Sequence, residues 1–383
     1  MKIVIAPDSF KESLTSLEVA QAIEQGILRV LPNAEIIKVP MADGGEGTLQ
    51  TLIDTFSGTI ITQQVTAPLG NKINANFGVY QDQKQRCAVI EMAAASGLPL
   101  VPIEQRNPLI TTTYGTGELI KAALDQKVRK IILGIGGSAT NDAGVGMLQA
   151  LGAKFRDKKG KEIGFGGLAL AEIAQIDLNH LDPRLKQVQF EIACDVKNPL
   201  CGKNGASAIF APQKGATPEQ VLLLDNALAH FAYLIQQQYN KNILTVAGSG
   251  AAGGLGGGLL LLPNVSLKSG FKIISQAVKL KEKLQGANLV ITGEGRMDSQ
   301  SIQGKTPIGV AKLAQQQHIT VIALVGCLGQ DHQAIYQNGI TAAFPIIQQT
   351  EPLPSLLKKG KQNLIATTEN IIRFYHKIIL PQY

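Results

Sequence analysis

Short apolar runs alternate with amphipathic stretches at both ends of this chain, and no other feature of the sequence restricts its fold as much. Ile3-Val4-Ile5-Ala6 reads as a buried strand. A helix over 17–30 follows, entered through the capping-box pattern Thr15-Ser16-Leu17-Glu18, with Val19, Ile23, Ile27 and Val30 at helical spacing. A strand over 35–39 and a helix over 47–56 come next. The last third repeats the rhythm: strand 289–291, helix 308–316, strand 320–325, a short helix from Gln333, strand 342–347 and a closing helix over about 364–379. Such alternation with short connections predicts parallel pairing, with binding loops at the carboxyl ends of the strands.

The middle of the chain reads differently. Residues 60–65, 73–80 and 86–91 look like successive strands of a meander. A helix over 117–124, strands 130–133 and 189–194 and a long helix 218–239 follow, the last with Val221, Leu224, Leu228, Phe231, Leu234 and Ile235 as a core stripe. The expected fold class is α/β with two domains, one built from both chain ends (1–68 plus 285–383) and a second α/β domain inserted between them (69–284).

Composition excludes several classes of function. The 383 residues allow two domains and a large core. The net charge of +7 suits anionic small molecules, and an aromatic content of 5% with no tryptophan, no arginine-rich arm and no RNP-like motif argues against nucleic acid. Cys87, Cys194, Cys201 and Cys327 form no CxxC pair and the five histidines show no HxxxH spacing, so neither zinc nor a disulfide framework is expected. Met1-Lys2 leads straight into a strand and the apolar run 253–262 is too short for a bilayer, which needs about 20 residues, so a cytoplasmic protein without membrane contact is expected.

Glycine is abundant, at 40 residues, and clusters where apolar runs end. The densest case follows Lys130-Ile131-Ile132-Leu133: Gly134-Ile135-Gly136-Gly137-Ser138-Ala139-Thr140-Asn141-Asp142, with a helix expected from Ala143 to Leu151. Glycines at a strand–helix junction let backbone N–H groups crowd around an anion, and Asn141 and Asp142 would reach a magnesium ion bridging its phosphates. Four further segments end a strand in small or polar residues plus an acid: 6–11 with Asp8, Ser9 and Lys11; 42–48 with Asp43, Gly44, Gly45 and Glu46; 194–198 with Asp195; and 292–298 with Glu294 and Arg296. A sixth, 248–258, brings Gly253 and Gly254 without an acid. Any one would serve as a helix cap or turn. Together they point to one cleft that supplies phosphate donors, acids for magnesium and an acid for an attacking hydroxyl, as phosphoryl transfer requires.

Two motifs fail on inspection. Gly304-Lys305-Thr306 resembles a P-loop tail, but Ser299 stands where GxxxxGK[ST] needs its first glycine. Residues 134–139 satisfy G-x-G-x-x-A, yet the acid about twenty residues on, Asp157, sits in a polar turn. An NAD(P)-dependent dehydrogenase is the weaker reading, and a nucleotide-sensing module would have little use for acids at five strand ends.

The ordered motifs Asp8-Ser9-Phe10-Lys11-Glu12-Ser13-Leu14, 42–48, 134–142, Cys194-Asp195-Val196-Lys197-Asn198-Pro199-Leu200, 250–256 and Thr292-Gly293-Glu294-Gly295 resemble, nearly end to end, those of the bacterial type I glycerate kinases. Ala143 and Ser301 stand where glycine and threonine would be expected, and neither supplies a charge. The resemblance implies ATP- and magnesium-dependent phosphorylation of D-glycerate, with 2-phosphoglycerate favoured over 3-phosphoglycerate. It also implies that the domain built from both chain ends is a flavodoxin-like parallel-sheet domain. Partners are then glycerate and, as an assembly, a homodimer. On this reading Gly136, Gly137, Ser138 and Asn141, assisted by Gly253 and Gly254, hold the nucleotide phosphates. Asp195, then Asp43, accepts the hydroxyl proton, and Asp142 and Glu294 hold the metal. Lys11 or Arg296 neutralises the glycerate carboxylate or the transferring group, and Asp8, Ser9, Gly44, Gly45 and Glu46 complete the substrate contacts.

Overall fold

The computed structural model describes residues 1–83, 85–302 and 305–378. In chain order its strands are β1 (Lys2–Ile5), β2 (Glu35–Lys38), β3 (Thr59–Thr66), β4 (Lys72–Asp82), β5 (Gln85–Glu91), β6 (Lys130–Gly134), β7 (Lys154–Arg156), β8 (Gln175–Asp177), β9 (Gln189–Ala193), β10 (Val265–Lys268), β11 (Leu289–Met297), β12 (Thr320–Leu328) and β13 (Ala342–Pro345). The chain divides into two compact units, Met1–Asp43 with Phe271–Tyr383, and Gly44–Gly270. No helix among the described residues is long and apolar enough to cross a membrane.

The first unit carries one parallel sheet in the order β13-β12-β11-β1-β2. Helix Ser16–Leu28 starts at Thr15, whose hydroxyl accepts from the Glu18 N–H while Glu18 returns a bond to Thr15, the capping box expected from sequence. Its apolar face, Val19, Ile23 and Ile27, joins Ile3, Ile5, Leu289, Ile291, Leu324 and the Leu364 and Ile372 side chains of helix Gly360–Ile378 in one core. Full burial of each such side chain stabilises by about 1.5–3 kcal/mol, which offsets the low intrinsic stability of four-residue strands. The closing helix begins earlier than its apolar spacing suggests, and its expected end at Ile379 lies outside the described residues, as does Gly304.

Strand β11 corrects one expectation. The sequence places a loop after Ile291, whereas pairing with β12 continues through Glu294↔Val325 and Arg296↔Cys327. Glycines at 293 and 295 weaken the local strand signal, but pairing with the long parallel neighbour β12 holds the extended backbone.

The second unit is built on a mixed sheet, β10-β9-β6-β5-β4-β3. The meander β3-β4-β5 is antiparallel and β5-β6-β9-β10 parallel. Helix Pro218–Tyr239, capped by Thr217 and Gln220, buries Leu224, Leu228, Phe231 and Ile235 in the core. The separate two-stranded sheet β7-β8 carries no clear alternation and is not legible as strand. The unit boundaries also differ from expectation. Residues 44–68 belong here, because β3 pairs with β4 from Thr59 to Thr66 and Phe56 stacks on Tyr80 at 4.7 Å. Residues 271–284 belong to the first unit, where the Phe271 ring lies against Gly309.

Candidate functional site

In the first unit an acidic group forms at the carboxyl ends of β1 and β11. The Asp8 N–H donates to Gly293 O (2.8 Å), which fixes the turn after β1 against β11, and the Ser9 N–H caps Asp8 Oδ1 at 2.7 Å. Burial, with the Asp43 carboxylate alongside and Glu294 beyond, pushes the Asp8 carboxyl up to about 7. Thr306, the first residue of helix Thr306–Gln315, faces Asp8 with a fully buried hydroxyl that lacks a hydrogen bond of ordinary geometry. Glu294 is buried, accepts from Ser301 Oγ at 2.6 Å and has Lys305 Nζ 3.7 Å from its other oxygen. Burial raises its carboxyl too, against the pull of Ser301 and Lys305. Asp8, Asp43 and Glu294 are thus brought together, and Lys305 and Thr306, dismissed as a failed P-loop, stand among them.

Lys11 lies exposed in the turn closed by Phe10 and Leu14, whose backbone runs beside Gly295. Arg296 is exposed and paired with Asp298 at 3.2 Å. Sequence had marked both as cations; only their backbone neighbourhood ties them to the acids.

The second unit gathers a separate group around the end of β6. Gly136 and Gly137 are exposed, and a Cβ on either would meet nothing closer than 3.5 Å, so their backbone is open to an approaching group. Gly44 and Gly45 lie against this turn: a Cβ on Gly134 would stand 2.4 Å from Gly44 O, and one on Gly136 3.9 Å from Gly45 Cα. Asp195 is exposed after β9 and accepts from the Gly270 N–H at 3.1 Å. Glu46 is exposed, and its charge, after burial, helps raise the carboxyl of Glu91, which accepts from the Leu49 N–H at 2.9 Å.

Behind the glycines the loop turns inward. Asp142 is buried and accepts from Thr113 N–H and Oγ1 (both 2.8 Å), Gly144 N–H (3.2 Å) and Gly146 N–H (3.3 Å). Burial raises its carboxyl, yet every partner is a donor, which suits the ionised form. These bonds, with positive φ at Ala143 and Gly144, delay the helix to Val145–Ala150. Asp142 therefore anchors the loop, and its oxygens are engaged by the protein instead of facing a metal. Asn141 is likewise buried, its amide donating to Ser207 Oγ at 3.0 Å while Oδ1 has no partner. Gly253 and Gly254 are buried as well: a Cβ on Gly253 would fall 1.9 Å from Thr140 O, so this loop presses on the back of the turn.

One residue at this turn has no signal in the sequence. Lys214 is fully buried, its Nζ donating to Ser138 Oγ at 2.8 Å and to Thr140 O at 2.6 Å. It follows Ala211-Pro212-Gln213 in an aperiodic stretch, where a lone lysine reads as surface.

Among the described residues no three His, Cys, Asp or Glu side chains form a metal-ligand set. Magnesium needs only one or two carboxylates beside water and phosphate oxygens, so Glu294 fits such a role and Asp142 does not.

Comparison with known proteins gives these arrangements a context. The sequence model described as Glycerate kinase family matches residues 3–376. A glycerate kinase of Haemophilus influenzae is 61% identical over 97% of this chain and 98% of its own. A glycerate 2-kinase of Escherichia coli is 51% identical over 97% of each chain. A crystal structure assigned to glycerate kinase 2 of Salmonella typhimurium superposes with a TM-score of 0.90 at 49% identity, covering 98% of both chains. With a family match spanning nearly every residue and relatives this similar over their full lengths, the chain belongs to the glycerate kinase family.

Proposed function

We propose that this protein is an ATP-dependent glycerate kinase that transfers the γ-phosphoryl group to the 2-hydroxyl of D-glycerate. The observation that carries the reading is the acidic group Asp8, Asp43 and Glu294, in a chain 61% identical to a glycerate kinase. The 2-position follows the Escherichia coli relative, a glycerate 2-kinase. The open backbone of Gly136 and Gly137 with Ser138 supplies donors for the nucleotide phosphates. Asn141, Gly253 and Gly254 shape that turn from behind, and Asp142 ties it down.

For the hydroxyl proton, Asp8 and Asp43 stand ahead of Asp195. An acid whose affinity for protons lies near neutrality, because burial and then a second carboxylate beside it disfavour its charge, is matched to proton transfer at the working pH. Asp195 is exposed, with one oxygen held by the Gly270 N–H. Glu294 would hold magnesium, directly or through water, and the metal would supply charge neutralisation for the phosphates. Lys11, Lys305 and Arg296 are the cations available to the glycerate carboxylate; Ser9 in the first unit and Gly44, Gly45 and Glu46 in the second are further substrate contacts on this reading. A homodimer is the assembly that goes with this reading. The test is ADP release from MgATP with and without D-glycerate, with phosphorus NMR of the product. Glycerate-dependent turnover to 2-phosphoglycerate is expected, and nucleotide binding without turnover would leave only a sensor.

A further inference from the structure

Lys214 is a buried titratable side chain that the roles above do not use. It ends the short turn Pro212–Lys214, and Gly215 beyond it packs on the Arg106 backbone. Among the described residues its Nζ bonds only Ser138 Oγ and Thr140 O, both in the glycine turn. Burying an ammonium is costly without a counter-charge in contact, and a methionine would fill the same space without that cost. Among the described residues the charged group acting on it is Asp142, whose carboxylate attracts the ammonium but is spent on Thr113, Gly144 and Gly146.

The hydrogen-bond polarity indicates what the lysine does. A hydroxyl that accepts from an ammonium turns its own proton away, so Ser138 Oγ is set to donate outward. Among the described residues no acceptor for that proton is present. We propose that Lys214 is a positioning residue for phosphate: its ammonium, held under Gly136-Gly137-Ser138, aims the Ser138 hydroxyl at the bound anion and supplies the positive charge that anion needs. The proposal rests on reading that turn as the phosphate-holding one.

A consequence separates this role from packing. Burial pulls the lysine down to about 7, with Asp142 opposing, so the empty turn carries a lysine about half protonated at neutral pH. An anion on the turn favours the charged form, and binding takes up a proton. Uptake is near zero at pH 6, about half a proton at pH 7 and close to one at pH 8.

Calorimetric titration of MgADP into the full-length protein at these three pH values, in two buffers of different ionisation enthalpy, measures that uptake. Repeating it in Asp8→Asn removes a second group that titrates near neutrality. The wild type is expected to show uptake rising with pH. Lys214→Met is expected to bind at least tenfold more weakly with no such rise, and Lys214→Arg to keep most of the affinity, also without it. Wild-type binding without uptake that rises towards pH 8 overturns the proposal, and does so even if Lys214→Met fails to fold. The same rise in Lys214→Met overturns it as well. Absence of any MgADP binding by the wild type would instead remove the reading of the turn itself, and the proposal with it.

Discussion

The acids of this chain were legible as residues but not as roles. Each stands at a strand end, so each drew notice, yet only burial and partners separate a reacting group from an anchor. Asp8 illustrates the first kind. Its carboxyl rises from an ordinary 3.8 to about 7, so the folded state binds the proton more tightly than the unfolded state. Stability is therefore fullest at low pH, declines as pH rises from 3.8 towards 7, and is level above. Asp8→Asn keeps the uncharged form at every pH. It should melt higher than the parent at pH 8, by ~1–3 kcal/mol after allowance for solvent, with the gap closing near pH 4. Turnover should fall by ~10²–10⁴. Thermal melts across pH 4–8 with kinetics at pH 7.5 check both, and a melting gap independent of pH would show that Asp8 is not strained by its charge. Asp142 is the second kind. Asp142→Ala orphans buried N–H groups of Thr113, Gly144 and Gly146, and the unfolding free energy should drop by ~3–5 kcal/mol. In Asp142→Asn the magnesium dependence of turnover should stay unchanged; a large rise in the magnesium requirement would return this residue to the metal. Lys214 was not legible at all, because no periodicity or motif distinguishes a buried lysine from a solvated one.

At the scale of elements, hydrophobic period located the long helices and central strands well. Helix Ser16–Leu28 and helix Pro218–Tyr239 have both a cap and an apolar stripe, two signals that agree. Where only tertiary pairing decides, the sequence was mute: β11 continues past two glycines because β12 holds it, and the separate two-stranded sheet β7-β8 has three residues a strand. Loops were found by their glycines, yet the function of each glycine depends on what lies over it. Gly136 and Gly137 face open space, whereas Gly253 is pressed between loops at φ +65°, its missing Cβ 1.9 Å from Thr140 O. Gly253→Ala must therefore push the 248–254 loop off the back of the turn. The left-handed backbone adds about 1–2 kcal/mol to that cost. A lower melting temperature and at least tenfold weaker MgADP binding are expected from a thermal melt and a titration. An unchanged dissociation constant would mean that this loop does not shape the phosphate turn.

Over the whole molecule, an insertion between two chain ends was legible because the strand–helix rhythm stops and resumes, but its edges were misplaced. The strand expected at 60–65 reads as the first of a meander, yet the boundary drawn at 68 leaves it in the first domain; its antiparallel pairing with β4 assigns it to the second. The division has a functional reading. Gly136, Gly137, Ser138, Lys214, Gly253 and Asp195 all belong to the continuous segment 44–270, while Asp8, Asp43, Glu294, Lys305 and Thr306 belong to the other unit. The segment has its own core, in which Phe77, Ile90, Leu133, Phe155, Phe190 and Phe231 come from within it. Produced alone, residues 44–270 should unfold cooperatively and bind MgADP, because the donors of the phosphate turn and the lysine under it are all present. It should transfer no phosphoryl group to glycerate, because the acids assigned to the hydroxyl proton and the metal are missing. Circular dichroism melting, calorimetry and an ADP-release assay on that segment decide the matter. Glycerate-dependent turnover by the segment would move the reacting acid to Asp195. Binding without turnover would place the nucleotide and the proton acceptor on different units, as their partition along the chain requires.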